Sequence, residues 1–153
     1  SLRVLATEPK PLGTWFPARL HHGAVEVGAR VVPLDAEALL PGAEGRVQLV
    51  LERPIAAAVR DRFVLRDTSA RRTIGGGRFI DLRAPARKRR TPERLAVLGA
   101  AAEADPAAAL ARLVELPPYH LDLDAFARDR APPGCIAVRA LPLAAVTRRV
   151  HTT

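Results

Sequence analysis

The sequence predicts a mainly β chain: a barrel over residues 1–84, a basic linker over 85–94, and a small α-rich part over 95–153. Three observations carry this. About six stretches between Leu2 and Leu82 alternate apolar and polar residues with the two-residue period of half-buried strands, at the spacing of small sandwiches and barrels. The alternation stops at Arg87-Lys88-Arg89-Arg90, set between Pro85 and Pro92. Beyond it the period becomes helical, with a cap signal before the first apolar stripes.

The first expected strand is Leu2 to Ala6, after which Pro9, Pro11 and Gly13 mark a loop. Phe16, Ala18 and Leu20 share the inner face of a second strand, and Pro17 on its outer face favours an edge position. Val25, Val27, Ala29 and Val31 form the inner face of a third, so a hairpin turns near Gly23. Pro41-Gly42 is a turn, and Val47, Leu49 and Leu51 supply the fourth strand. Asp61 to Arg66 is short and central, with Phe63 and Leu65 facing opposite to Arg62, Val64 and Arg66. The polar loop Asp67 to Arg72 follows, Gly75-Gly76-Gly77 relaxes the backbone, and Arg78 to Leu82 completes the hairpin as the sixth strand.

Four adjacent cations repel one another and are expensive to bury, so 85–94 reads as an exposed linker. It serves either as a solvated tether or as a phosphate contact through Arg87, Lys88, Arg89 and Arg90. Thr91-Pro92-Glu93 is a cap, a first-turn proline and an early acid, opening a helix with Leu95, Leu98 and Ala102 on one face. Asp105-Pro106 repeats the signal for a second helix with Leu110, Leu113 and Val114, which Pro117-Pro118 stops. Leu121 to Asp129 is a third short helix, Cys135 to Ala140 a strand, and Leu141 to Val150 an irregular or helical piece.

The chain has 153 residues and a formal net charge of +8, of which +4 lies in 1–84, +4 in the ten residues 85–94 and none in 95–153. A pI near 11.2 suits a polyanionic partner, and equally a solvated surface on an Arg-rich chain. The single cysteine, Cys135, excludes an internal disulfide framework and fits a reducing compartment. No stretch approaches the roughly 20 apolar residues of a membrane span, so a soluble, cytoplasmic protein with no membrane partner is expected. The lack of methionine and the start at Ser1 point to a segment of a longer protein, or to a processed one.

Catalytic and metal chemistry finds little support. No phosphate-binding G-x-x-x-x-G-K-[ST] run occurs, and Gly75-Gly76-Gly77 follows a loop instead of opening a helix. Those glycines suit close backbone packing. His21 and His22 are adjacent, so a strand sends them to opposite faces, and His120 and His151 lack partners at zinc spacing. Asp122 and Asp124 fit the start of a helix better than acid–base work. Binding remains: Arg71 and Arg72 at a loop tip suit bidentate phosphate contacts, with Thr68 and Ser69 as neutral donors. Arg72 has a second reading, held by a barrel carboxylate. With few aromatics, base stacking is not the expected mode, and backbone recognition of an A-form RNA stem fits better.

The order Pro54-Ile55, Arg62-Phe63, Arg66, then Arg72-Thr73-Ile74-Gly75 and Gly77 resembles the end of the third domain of elongation-factor-Tu-like translation factors. Asp61 to Arg66 and Thr73 to Gly77 resemble most the selenocysteine-specific elongation factors. The resemblance implies a non-catalytic barrel that supports the T arm of selenocysteinyl-tRNA for delivery to the ribosome. It implies contacts at Asp67, Ser69, Ala70 and Arg71, although this loop is longer and less glycine-rich than in the better-known elongation factor. GTP and magnesium would belong to the parent protein's own GTPase domain, preceding Ser1, with no cofactor in this segment. The three helices and strand resemble the beginning of the winged-helix region that follows the barrel in that family. The alternatives are the barrel of another translation GTPase and a plain protein-interaction barrel.

Overall fold

The structure is a computed structural model and describes residues 1–131. Seven strands form one curled antiparallel sheet: β1 (Leu2–Val4), β3 (Phe16–His22), β4 (Val25–Pro33), β6 (Glu44–Gly45), β7 (Val47–Leu51), β8 (Arg62–Arg66) and β9 (Thr73–Arg78). The short strands β2 (Leu12–Gly13) and β5 (Ala38–Leu39), which show no alternation of their own, pair separately. In the sheet the order is β6-β1-β9-β8-β3-β4-β7. Only Arg46 separates β6 from β7, so the two ends of this order are halves of one run. Pairing therefore passes from β4 through residues 44–51 back to β1, which leaves few open sheet edges.

The alternation works as expected. In β8 Phe63 and Leu65 are buried while Arg62 and Val64 are exposed, and β8 lies centrally between β9 and β3. Leu2, Val4, Leu12, Leu20, Val31, Leu65 and Ile74 are wholly or almost wholly enclosed. The β3–β4 hairpin turns at Gly23, whose φ of 55° suits glycine.

Two details differ from expectation. Pro17 sits in β3, which pairs on both sides and is no edge strand. The β3–β8 ladder covers only Arg19 to His21, however, so at Pro17 only β4 is paired and the missing N–H is tolerated. The last strand among the described residues is Thr73–Arg78, not Arg78 to Leu82. The glycine triplet lies inside it because β1 approaches closely: a Cβ on Gly75 would overlap the Arg3 carbonyl, and one on Gly77 that of Ser1. Bare backbone is what lets β9 pair with β8 and β1 together.

Three helices follow: α1 (Pro92–Ala101), α2 (Pro106–Leu113) and α3 (Leu123–Arg130). Thr91, Asp105 and Asp122 cap them by accepting from the amides of Arg94, of Ala107 and Ala108, and of Ala125. Ala109, Leu110 and Phe126 form a small core between α2 and α3, supported by Leu113 and Leu121. Arg130 lies over the Phe126 ring at 3.8 Å, and burial lowers its pKa. The strand expected at Cys135 to Ala140 and the piece at Leu141 to Val150 lie outside the described residues.

The helical part is fastened to the barrel by specific bonds. Arg46 pairs with Asp35 and donates to the Leu95 carbonyl at 2.7 Å, and Gln48 donates to the Pro85 carbonyl at 3.0 Å. Arg83 forms a two-point pair with Asp129 at 2.9 and 3.0 Å, and Arg94 pairs with Asp81. A cavity of about 290 Å³ remains at this junction, walled largely by Val47, Leu49, Ile55, Phe79 and Leu98.

Candidate nucleic-acid interface

The loop between β8 and β9 is built around one carboxylate. Asp67 accepts from the Arg71 amide at 2.7 Å, the Arg72 amide at 3.0 Å and the Ser69 hydroxyl at 2.6 Å. Its own amide donates to the Arg72 carbonyl, and its carbonyl accepts from Ala70, which takes a left-handed φ of 55°. The Arg72 amide is the main cause holding the Asp67 carboxyl below its usual pKa, with the Ser69 hydroxyl next. Side-chain-to-backbone bonds of this kind are how Asp stabilises turns.

This geometry sorts the expected contact residues. Asp67 is an internal organiser, and the Ser69 hydroxyl gives its proton to Asp67 instead of standing free as a donor. Arg72 is already engaged: its guanidinium is paired with Glu8, whose side chain has no exposed surface. Of its two readings, the barrel carboxylate holds. Arg71 is different. It is exposed, and among the described residues its guanidinium has no protein partner.

The basic run divides in the same way and is not a simple solvated tether. Arg90 is clamped, donating to the Pro33 carbonyl at 3.0 Å, Glu37 at 2.9 Å and the Thr14 hydroxyl at 3.0 Å. Arg89 lies over the Trp15 ring at 5.2 Å. Arg87 and Lys88 stay exposed, Lys88 at a positive φ of 53°. One Arg ties the run to the barrel while two cations face water.

The register brings these pieces to one end. Arg66, the last residue of β8, faces Arg19 in the middle of β3, so the chain leaving β8 runs toward the start of β3, where Phe16 faces Val31 near the end of β4. The loop after β8, the turn before β3 and the carbonyl of Pro33 that holds Arg90 therefore lie at the same barrel end. Neither Trp15 nor Glu8 stands out in sequence, since both act through partners more than 60 residues away.

Among the described residues no group of three or more His, Cys, Asp and Glu could hold a metal ion. His22 is a packing residue, with Nδ1 at 3.0 Å from the Arg62 carbonyl and its ring edge-on to Phe79. No described helix is long and apolar enough to cross a membrane.

Residues 1–86 match the family described as "Selenocysteine-specific elongation factor, beta-barrel domain". The selenocysteine-specific elongation factor of Escherichia coli (strain K12) is 39% identical over 94 residues, 61% of this chain and 14% of that protein. That of Desulfomicrobium baculatum is 33% identical over 102 residues, 65% of this chain and 16% of the relative. The Haemophilus influenzae protein of the same name is 27% identical over 95 residues, 62% of this chain and 15% of the relative. The matched part thus spans about one-sixth of each relative or less.

Proposed function

The chain belongs to the family of selenocysteine-specific elongation factors through its β-barrel domain, and on that premise we propose that it is a non-catalytic part of a cytoplasmic translation factor that helps hold selenocysteinyl-tRNA for delivery to the ribosome. The observation that carries the reading is the division of labour in the β8–β9 loop. Asp67 shapes the loop and Glu8 occupies Arg72, which leaves Arg71 displayed at the rim as a cation without a partner among the described residues. A planar guanidinium in that position suits a phosphate of an A-form RNA stem.

On this reading Ser69 and Ala70 lie beside the RNA backbone at the loop tip, Asp67 acts by shaping the loop, and Arg87 and Lys88 add charge from the same barrel end. Hydrolysis of GTP with magnesium would be the task of another domain of the parent protein.

Titrating the chain with selenocysteine tRNA at several salt concentrations tests this. Affinity is expected to fall linearly on a log–log plot, and Arg71→Ala to flatten that slope by about one. Binding indifferent to salt and to Arg71→Ala would point instead to a protein-interaction barrel.

A further inference from the structure

Trp15 is an unusual residue for its position. It occupies the turn between β2 and β3 at φ 65°, a left-handed conformation that is easy for glycine and rare for a bulky side chain. The side chain is not there to fill the core, since 49% of the residue is exposed. It is the only tryptophan in the chain. A large aromatic held in a costly conformation and half in water needs a use that an Asn or Gly would not serve.

Its surroundings suggest that use. Arg89 lies over the indole with its Cζ 5.2 Å from the ring centroid, and among the described residues its buried Nε has no acceptor, so the guanidinium is committed to the ring face instead of an ion pair. A shallow hollow beside the turn is lined by Thr14, Arg87, Lys88, Arg89 and Arg90. Arg90 is consumed by Pro33, Glu37 and Thr14, which fixes the run against the barrel. Arg87 and Lys88, which line that hollow together with the Arg89 that covers the indole, are left exposed. An exposed indole, a stacked guanidinium and two open cations form the combination that holds an unpaired nucleotide: the base on the ring, the adjoining phosphates on the cations.

We propose that Trp15, with Arg87 and Lys88, is a binding site for an unpaired nucleotide of RNA, separate from the Arg71 loop and at the same end of the barrel. It rests on the RNA-binding reading above but uses other residues and another chemistry, base stacking in place of contact with a helical stem.

The test uses the full chain, with the emission of its single tryptophan read for the unaltered protein and the anisotropy of an end-labelled oligouridylate read for that protein and every variant. An oligouridylate of about eight nucleotides, within the usual site size, is expected to quench Trp15 saturably, whereas a blunt RNA duplex is not. Trp15→Gly suits the left-handed turn and removes little buried surface, so it is expected to fold. It should weaken oligouridylate binding roughly 5- to 100-fold. Trp15→Phe should keep most of the affinity, and Arg87→Ala with Lys88→Ala should lower it and reduce its salt dependence. Arg71→Ala should leave oligouridylate binding unchanged while weakening tRNA.

Equal quenching by duplex and oligouridylate would overturn the proposal, as would unaltered binding by Trp15→Gly. Absent quenching, with Trp15→Gly and Arg89→Ala equally harmful, would reduce Trp15 to an anchor for the linker and refute it too. Arg71-sensitive tRNA binding without any response at Trp15 would remove this site and leave the wider reading standing.

Discussion

Glu8 and Arg72, 64 residues apart, meet as an acidic side chain with no exposed surface and an arginine side chain 44% exposed. The pair ties the strand-poor segment after β1 to the β8–β9 loop. It also decides which of two adjacent arginines is available, since Arg72 is held and Arg71 is not.

Removing the cation strands a buried negative charge, and this is the costlier way to break such a pair. Arg72→Ala is therefore expected to lower the melting temperature by several degrees, and adding Glu8→Gln should recover much of the loss by removing the buried charge. Thermal unfolding of the three variants checks it. Simple additivity of the two changes would show that the residues are not coupled.

The loop should respond to acid through Asp67. Hydrogen bonds to its charged form hold its folded pKa below the ordinary 3.8. Its contribution to loop order is thus fully present above 3.8 and lost as the pH falls through the lower, folded value. The Arg71 and Arg72 amide resonances should titrate with a midpoint below 3.8, and Asp67→Asn should abolish that transition. A midpoint at or above 3.8 contradicts the arrangement.

Within the glycine triplet the three positions are not equivalent. A methyl group on Gly75 meets the Arg3 backbone in β1 and one on Gly77 the Ser1 backbone just before it, whereas on Gly76 it comes to 3.1 Å from the Phe63 carbonyl and needs only a small shift. Gly75→Ala and Gly77→Ala should each destabilise by about 1–3 kcal/mol or more, as overpacking does, and Gly76→Ala by less. Urea midpoints for the three provide the comparison.

Helix α2 begins on one side chain, since Asp105 accepts from two amides at 3.1 and 3.2 Å. Asp105→Ala should cost about 1 kcal/mol, read as reduced helicity and faster amide exchange at Ala107 and Ala108. Unchanged exchange there would mean that the cap does not hold the helix start.

Arg90 should govern the linker. Arg90→Ala removes bonds to Pro33, Glu37 and Thr14 together, so limited proteolysis between residues 85 and 91 should accelerate several-fold without a comparable fall in barrel stability. Cleavage at the original rate would show that Arg89 on Trp15 suffices as the tether.

Strands β1, β3, β4, β7 and β8, the Gly23 hairpin and the helix caps were legible in the sequence because each depends on neighbours a few residues away: a side-chain period, a turn glycine, a Thr or Asp just ahead of a helical stripe. The family was legible as well, in the spacing of Arg66, Thr73 and the glycines. The tertiary structure alone decided that β9 contains the triplet, that residues 44–51 link both ends of the sheet, and which arginines are free. A basic side chain carries no local sign of its partner. Arg72 and Arg90 are neutralised by groups more than 50 residues away that only the closing of the sheet brings near, while Arg71, Arg87 and Lys88 face water because the described residues offer them no such group.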